Sequence, residues 1–230
     1  MHVPDGFLDA PTSVATAVVA AGGVALALGR ARRELDDRTA PLAGLVAVFV
    51  FAAQMLNFPV GAGTSGHLLG GTLAAVLVGP WTATLCLTVV LAVQALLFAD
   101  GGITALGTNV TLMGLVGVWS GWVVFVGLRR VLRSAGPSVV PALAGVAGFV
   151  SVPVTALAFT ALYAVGGRAP IPLDSLVTAM LGWHTLIGVG ESVITLLAVG
   201  SIIATRPDLV HGARSLTTAR PLEIRTGATA

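Results

Sequence analysis

The chain has no lysine, a single cysteine and a single tyrosine, and charged side chains occupy only 10% of its 230 positions. The one cysteine, Cys86, lies inside an apolar run, so an intrachain disulfide and a cluster of thiolate metal ligands are both excluded. Hydrophobic residues make up 56% of the chain, and its mean hydropathy is +0.96. This composition indicates a polytopic membrane protein.

The sequence also lacks the alternation of polar and apolar residues that is typical of a membrane β-barrel. Runs such as residues 85–93 are apolar on every face. Because backbone polar groups must be satisfied within lipid, helices are the remaining way to span a bilayer. We therefore predict an all-α fold, a polytopic membrane helical bundle of about seven transmembrane helices. The sequence contains no P-loop motif for ATP binding.

Seven apolar segments are the predicted spans: residues 12–29, 41–58, 67–78, 81–98, 110–128, 139–165 and 173–204. The stretch 67–98 is divided because a single helix over it would be about 48 Å long, whereas the hydrocarbon core is about 30 Å thick. The Gly79-Pro80 pair interrupts this stretch. The division also places the arginines at 129, 130 and 133 on the same side as the other arginine clusters.

All 12 basic residues are arginines, and most lie in short clusters at the ends of apolar runs. Since excess positive charge marks the cytoplasmic side, eleven of the twelve are predicted to be cytoplasmic, with Arg168 as the exception. The N-terminus is then outside and the C-terminus inside. Residues 1–204 are predicted to form one integral-membrane metal-binding domain, with 1–11 as an extracellular loop and 205–230 as a mobile cytoplasmic tail.

The first two residues, Met1 and His2, form a candidate chelator. No basic segment precedes the first apolar run, so we expect that no signal peptide is removed and that Met1 stays in place. The terminal amine, the amide nitrogen of His2 and its imidazole Nδ1 can then close two fused rings around one metal ion. Pro4-Asp5-Gly6 is a turn signal that would fold this tip back. A histidine at position 2 is also compatible with a frayed terminus.

A fourth nitrogen ligand is expected from His67, which follows the glycine-rich loop 59–66 on the same outer face as Met1. A single histidine at a membrane interface is also typical of a hydrogen-bonded helix cap. Four other polar residues of this face are candidates to stand behind the ligands and orient them: Asp5, Ser65, Asp100 and Asn109. Asp100 and Asn109 are equally compatible with capping the fifth span or with an Asx turn.

Four nitrogens from Met1, His2 and His67 would lie naturally in one plane. Such a plane suits Ni(II) or Cu(II), accepts Co(II) and strains Zn(II), which prefers a tetrahedron. Binding would displace protons from the amine, the imidazoles and the amide, so the metal affinity is expected to rise steeply with pH.

Two ionisable residues, His184 and Glu191, lie within the last predicted span. They are seven residues apart and therefore lie on nearly one face of a helix. Ionisable groups at such depth are costly, which favours a functional role. The alternative is that they form hydrogen bonds to neighbouring helices and stabilise the bundle.

Four stretches together resemble the CbiM/NikM family: residues 1–8 (Met-His-Val-Pro-Asp-Gly-Phe-Leu), 57–71, 94–102 and 184–191. Members of this family are the substrate-binding membrane subunits of energy-coupling-factor importers for cobalt and nickel. The resemblance extends from residue 1 to about residue 204. It implies that the metal is bound by the terminal amine of Met1, by the backbone and side-chain nitrogens of His2, and by His67.

The resemblance also implies the substrate, the partners and the cellular location of the protein. Co²⁺ or Ni²⁺ would be the transported substrate, with no cofactor of the protein's own and no enzymatic activity. The expected partners are a transmembrane coupling subunit and a pair of cytoplasmic ATPases. A small accessory membrane subunit is compatible with this assembly, and no nucleic-acid partner is expected. The location would be the plasma membrane of a prokaryote, where the cobalt taken up supports cobalamin biosynthesis.

One enzymatic alternative comes from a short motif. Gly63-Thr64-Ser65-Gly66 resembles the surroundings of the nucleophile in rhomboid-like intramembrane serine proteases, and His184 in a later span would act as its base. A four-residue pattern containing three small residues is weak in a glycine-rich membrane protein. This hypothesis also leaves the Met1-His2 pair without a role.

Overall fold

The computed structural model describes residues 1–35, 39–61, 64–132 and 134–214. Within these ranges the chain forms seven helices and one short antiparallel hairpin. The helices are α1 Ala10–Ala31, α2 Ala40–Gln54, α3 Gly71–Val78, α4 Pro80–Leu97, α5 Leu106–Val131, α6 Val140–Gly166 and α7 Leu173–Thr205. The hairpin strands, β1 Phe58–Gly61 and β2 Thr64–Gly66, lie between α2 and α3.

Five of these helices are long and apolar enough to cross a membrane, namely α1, α4, α5, α6 and α7. Helix α2 has 15 residues. Helix α3 has 8 residues, about 12 Å of helix, which is less than half of a hydrocarbon core. Every residue of α3 is buried. The predicted all-α membrane bundle is thus confirmed as a fold class, with α3 enclosed by the other helices.

Two predicted boundaries are wrong in the region between α2 and α3. The sequence predicts a second span that ends at residue 58 and a third that begins at His67, whereas α2 ends at Gln54 and α3 begins after Gly70. Gly70 has φ +73°, a left-handed conformation that glycine adopts readily. The residues before it are not helical, so His67 belongs to an irregular segment that enters the bundle.

The predicted break between the third and fourth spans is confirmed at Gly79, where φ is +95°. The carboxylate of Glu34, just beyond α1, accepts hydrogen bonds there from the backbone N–H groups of Trp81 at 3.2 Å and Thr82 at 2.7 Å. Arg214 donates to the Glu34 carbonyl at 2.8 Å. The end of α1, the start of α4 and the C-terminal turns therefore meet at one end of the bundle.

That end carries the arginine clusters of the described residues. The guanidinium of Arg30 lies 4.8 Å from the centroid of the Trp81 ring, and Arg129 and Arg130 lie in the last turn of α5. At the opposite end, the backbone N–H of Arg168 donates to the Phe7 carbonyl at 2.9 Å. Arg168 is thus separated from these clusters, as the charge pattern predicts. Four arginines lie outside the described residues: Arg38, Arg133, Arg220 and Arg225.

The described part of the predicted mobile tail is packed against the bundle. After α7, two short 3-10 turns cover Pro207–Leu209 and His211–Ala213. Val210 is fully buried, and a Cβ placed on Gly212 would come 2.8 Å from the ring of Phe125. The tail therefore covers the core at the arginine-rich end as far as residue 214. The prediction of mobility for residues 215–230 falls outside the described residues.

Candidate metal centre

The N-terminal arm, residues 1–9, is folded into the end of the bundle opposite the arginine clusters. Met1 is 1% exposed and Val3 is fully buried. Their side chains belong to one apolar cluster with Met180 and Ile187 of α7. A frayed terminus would expose these side chains to solvent, so the structure favours the ordered alternative for His2.

Backbone pairing at Val3 fixes the register of this arm. The Val3 N–H donates to Asn109 Oδ1 at 2.8 Å, and Asn109 Nδ2 donates to the Val3 carbonyl at 3.1 Å. The same carbonyl accepts from the N–H of Gly102 at 2.9 Å. Asn109 therefore fixes the residue next to His2, and the predicted alternative, a cap on α5, is not what its side chain forms.

Asp5 fastens the tip of the arm to the loop before α5. Its carboxylate accepts from the Thr104 N–H at 2.8 Å and from the Thr104 hydroxyl. These hydrogen bonds lower the pKa of Asp5 below its usual value. A Cβ on Gly102 would lie 2.4 Å from the Asp5 nitrogen, so only glycine allows this close approach. Asp5 is exposed, and it positions the arm from the outer surface instead of standing directly behind an imidazole.

The imidazoles of His2 and His67 come together although they are far apart in sequence. Their rings stack with centroids 4.5 Å apart and an angle of 30° between the planes. Nδ1 of His67 is 2.8 Å from the Leu68 carbonyl, which can only accept, so Nδ1 carries the proton and Nε2 carries a lone pair. Nε2 is buried and has no partner among the described residues. It is therefore available as a metal ligand.

The loop 99–102 borders the other side of the His2 ring. Gly101 has φ +90°, and a Cβ there would lie 3.2 Å from His2 Nδ1 and 3.0 Å from Asn109 Nδ2. Asp100 Oδ2 is 3.6 Å from His2 Nε2, an electrostatic contact longer than a hydrogen bond. Asn57 donates to the same carboxylate oxygen at 3.3 Å. Asp100 thus stands on the Nε2 side of His2.

Burial favours the neutral forms of the two titratable nitrogen groups of the arm, the Met1 amine and the His2 imidazole. It lowers the pKa of the Met1 amine to about 4, although the nearby Asp100 carboxylate acts in the opposite direction. It also lowers the pKa of His2 to about 3, and the neighbouring amine contributes to that shift. Burial therefore favours the neutral amine and imidazole in the metal-free protein, and the pH dependence of binding decides whether the metal displaces protons from them.

His184 lies near the arm on the inward face of α7. Its Nδ1 is 2.8 Å from the Met180 carbonyl, and its Nε2 is buried without a partner among the described residues. Its position between Met180 and Ile187 brings it close enough to the terminal amine and His67 for electrostatic interaction. Ser65 lies in β2 opposite Pro59. With the two His184 nitrogens so placed, the Ser65–His184 pair that a protease needs is not formed.

Glu191 reaches the segment that follows His67. Its carboxylate oxygens accept from the backbone N–H groups of Leu69 at 2.9 Å and Gly70 at 2.7 Å. Gln54 Nε2 donates to the Leu69 carbonyl at 2.7 Å. Sequence reasoning missed Gln54 and Gly101. Gln54 had a visible signal, since it is a lone amide side chain inside an apolar run.

Among the described residues, no three His, Cys, Asp or Glu side chains converge as a metal site. The nitrogen-bearing groups that the described residues bring together here are the Met1 terminus, His2 and His67.

A family model described as cobalt uptake substrate-specific transmembrane region matches residues 2–209. A Haloquadratum walsbyi protein named for metal transport is 40% identical over 210 residues, which cover 91% of this chain and 93% of that protein. The fused nickel transport protein NikMN of Rhodobacter capsulatus is 34% identical over 226 residues, covering 94% of this chain and 65% of the other. The crystal structure of a truncated transition metal transporter matches with a TM-score of 0.82 at 29% identity, covering 89% of this chain and 99% of that one. The chain belongs to the CbiM family of cobalt-uptake membrane proteins.

Proposed function

We propose that this chain binds Co²⁺ or Ni²⁺ through the Met1 amine, the amide nitrogen and Nδ1 of His2, and Nε2 of His67. It then delivers the ion into the cell as the substrate-specific subunit of an energy-coupling-factor importer. One observation carries the proposal. The buried N-terminal arm stacks the His2 ring on the His67 ring next to the Met1 terminus, and His67 Nε2 has no hydrogen-bond partner among the described residues.

The surrounding residues support a planar four-nitrogen site. Asn109 and Gly102 fix Val3, and the missing side chain of Gly101 leaves room for His2 Nδ1. Met1 and His2 supply three nitrogens from adjacent residues, which form fused rings and therefore one plane. Such a plane suits Ni²⁺, accepts Co²⁺ and strains Zn²⁺.

The proposed topology has seven crossings, the third made by the 67–70 segment together with the short helix α3, with the N-terminus outside and the C-terminus inside. The arginine clusters at one end support this orientation, because cytoplasmic loops of membrane proteins are rich in arginine and lysine. The metal centre then lies at the outer face of a prokaryotic plasma membrane. In this proposal a separate coupling subunit and a pair of ATPases supply the energy for transport, which is consistent with the lack of a P-loop motif in this sequence.

The test alters the terminus and leaves every side chain in place. One variant carries an alanine inserted between Met1 and His2, and one sample of the wild-type protein is acetylated at the amine. Either change should weaken Ni²⁺ and Co²⁺ binding to the purified subunit by about 100-fold or more, since even residues behind a ligand contribute 10- to 100-fold. Isothermal titration calorimetry measures the affinity, and mass spectrometry establishes whether Met1 is present and unblocked.

His67→Ala is the companion variant, because it removes the proposed fourth ligand and leaves the terminus intact. It should lose affinity to a similar extent. Wild-type affinity in both terminus-altered proteins would show that the amine is not a ligand, and the proposed site would be wrong.

A further inference from the structure

The 67–70 segment is irregular backbone inside a membrane protein. His67 and Leu69 are each 1% exposed, and neither belongs to a helix or strand. Away from water, backbone N–H and C=O groups of such a segment need partners from the protein itself. Two buried side chains from different helices provide them: Glu191 of α7 and Gln54 of α2.

Both side-chain oxygens of Glu191 act as acceptors. Each accepts one backbone N–H, from Leu69 at 2.9 Å and from Gly70 at 2.7 Å. Glutamine has the same shape, but it can offer an acceptor to only one of these donors, because its second terminal atom is itself a donor. The site is therefore specific for a side chain with two acceptor oxygens as well as for its size.

These contacts are transmitted to His67 over a short length of chain. Leu69 and Gly70 are the second and third residues after His67, and the His67 ring is itself tied to the Leu68 carbonyl at 2.8 Å. Gln54 fixes the opposite polar group of Leu69 at 2.7 Å. With Leu69 held on both sides, little freedom is left for the imidazole to move.

The same face of α7 also contacts the N-terminal arm. Met180 and Ile187 pack in the cluster that contains Met1, and Glu191 follows one turn after Ile187. One helix face therefore touches both halves of the ligand set.

We propose that Glu191 is a positioning residue of the metal centre. It keeps His67 Nε2 in the plane of the Met1–His2 chelate by binding the N–H groups of Leu69 and Gly70. The inference rests on the proposed function, since it needs His67 to be a ligand. Small displacements matter here, because a bound metal requires its ligands to within about 0.5 Å.

The decisive experiment is a double-mutant cycle between Glu191→Gln and His67→Ala, read by Ni²⁺ affinity of the purified subunit. Glu191→Gln alone should lower the affinity by about 10- to 100-fold, as expected for a residue that orients a ligand. In the His67→Ala background the same change should have almost no further effect, because Glu191 acts through His67. A purely structural role would lower the affinity equally in both backgrounds, and that result would overturn the proposal.

A second readout is the electron paramagnetic resonance spectrum of the Cu²⁺-loaded subunit, which reports the number of nitrogen ligands. Four nitrogens are expected in the wild type and three in Glu191→Gln. Thr195→Val is the matched control, since Thr195 is buried on the same face of α7 and makes no hydrogen bond to the 67–70 segment. It should keep all four.

Two further variants decide the matter where Glu191→Gln does not fold. Glu191→Asp keeps the charge with a shorter reach, and Gln54→Leu frees the Leu69 carbonyl. Both should show weakened Ni²⁺ binding and an altered Cu²⁺ spectrum, whereas wild-type affinity with four nitrogens would overturn the positioning role. Failure of the proposed function is a different result, in which His67→Ala itself binds Ni²⁺ as the wild type does.

Discussion

The N-terminal arm and the 67–70 segment would supply the two halves of the proposed ligand set, and they are held by different means. The arm lies at the rim, where Asn109 and Gly102 pair with its backbone and exposed Asp5 fastens its tip. The 67–70 segment lies deeper and depends on the buried side chains of Glu191 and Gln54. The comparison teaches that covalent adjacency positions the three proposed donor nitrogens of Met1 and His2, whereas the position of His67 depends on distant helices.

The largest expected effect is the pH dependence of the Ni²⁺ affinity, which reports whether the donors of the N-terminal arm are protonated in the metal-free protein. The amine and His2 already lack protons above pH values of about 4 and 3, so near neutral pH only the His2 amide proton should be displaced by the metal. The affinity for Ni²⁺ should then rise about tenfold per pH unit between pH 6 and 8, the dependence for one displaced proton. Competition titrations across this range would measure the slope. A slope near three protons would show that the arm is protonated, and therefore open, in the free protein.

The same shifts predict how the metal-free protein responds to acid. The unfolded chain takes up protons at these groups near their ordinary pKa values of 8.0 and 6.5, whereas the folded chain does so only near pH 4 and 3. Between these limits the unfolded state binds more protons, so the free energy of unfolding should fall as the pH is lowered from about 8 to about 4. Thermal unfolding at several pH values would show this decrease.

A smaller effect is expected from Asn109→Leu, which removes the hydrogen bonds that hold the arm and leaves the 67–70 segment intact. Val3 would lose its partners for N–H and in part for C=O in a buried site, and each orphaned group costs about 1–3 kcal/mol. The Ni²⁺ affinity should fall by about 10- to 100-fold. In Cu²⁺-loaded samples the spectrum should lose arm nitrogens and retain His67. Unchanged affinity would mean that the apolar packing of Met1 and Val3 suffices to hold the arm.

The smallest effect is expected from Gly101→Ala. The new Cβ would lie 3.2 Å from His2 Nδ1, and alanine at φ +90° is strained by about 1–2 kcal/mol. The loop can shift slightly, so a loss of about tenfold in Ni²⁺ affinity is expected, at the lower limit for an orienting residue. Gly22→Ala is the control, because a Cβ on Gly22 of α1 meets nothing within 4 Å. It should leave binding unchanged, and equal losses in both variants would exclude a local effect at His2.

The part of the candidate site that is local could be proposed from the sequence. Met1 and His2 are neighbours, so the geometry of the proposed chelate follows from covalent structure, and the break at Gly79 follows from backbone preferences. The start of α3 was predicted four residues too early, at His67, because apolar periodicity does not reveal a left-handed glycine at Gly70.

Long-range polar contacts were the part that could not be predicted. The depth of Glu191 marked it as functional, but its partners are backbone N–H groups, which no residue type identifies. Asn109 was predicted either to orient a ligand or to cap a helix, and only the fold shows that it pairs with Val3. The packing of Val210 against the core was not predicted, because the polar composition of the segment after α7 is typical of an unstructured tail.

The position of Asp100 has a consequence for which ions the centre can hold. A dication entering a buried, uncharged set of nitrogens would leave two positive charges in a region of low dielectric, which is costly. In the proposed centre, displacement of the His2 amide proton would remove one of them, and an ionised Asp100 carboxylate, 3.6 Å from the His2 ring, would compensate the other. The loaded centre would then be electrically neutral only for an ion of charge +2. Monovalent and trivalent cations of suitable size would each leave one unbalanced charge, so we expect the electrostatics of the proposed centre to favour divalent ions in addition to its ligand geometry.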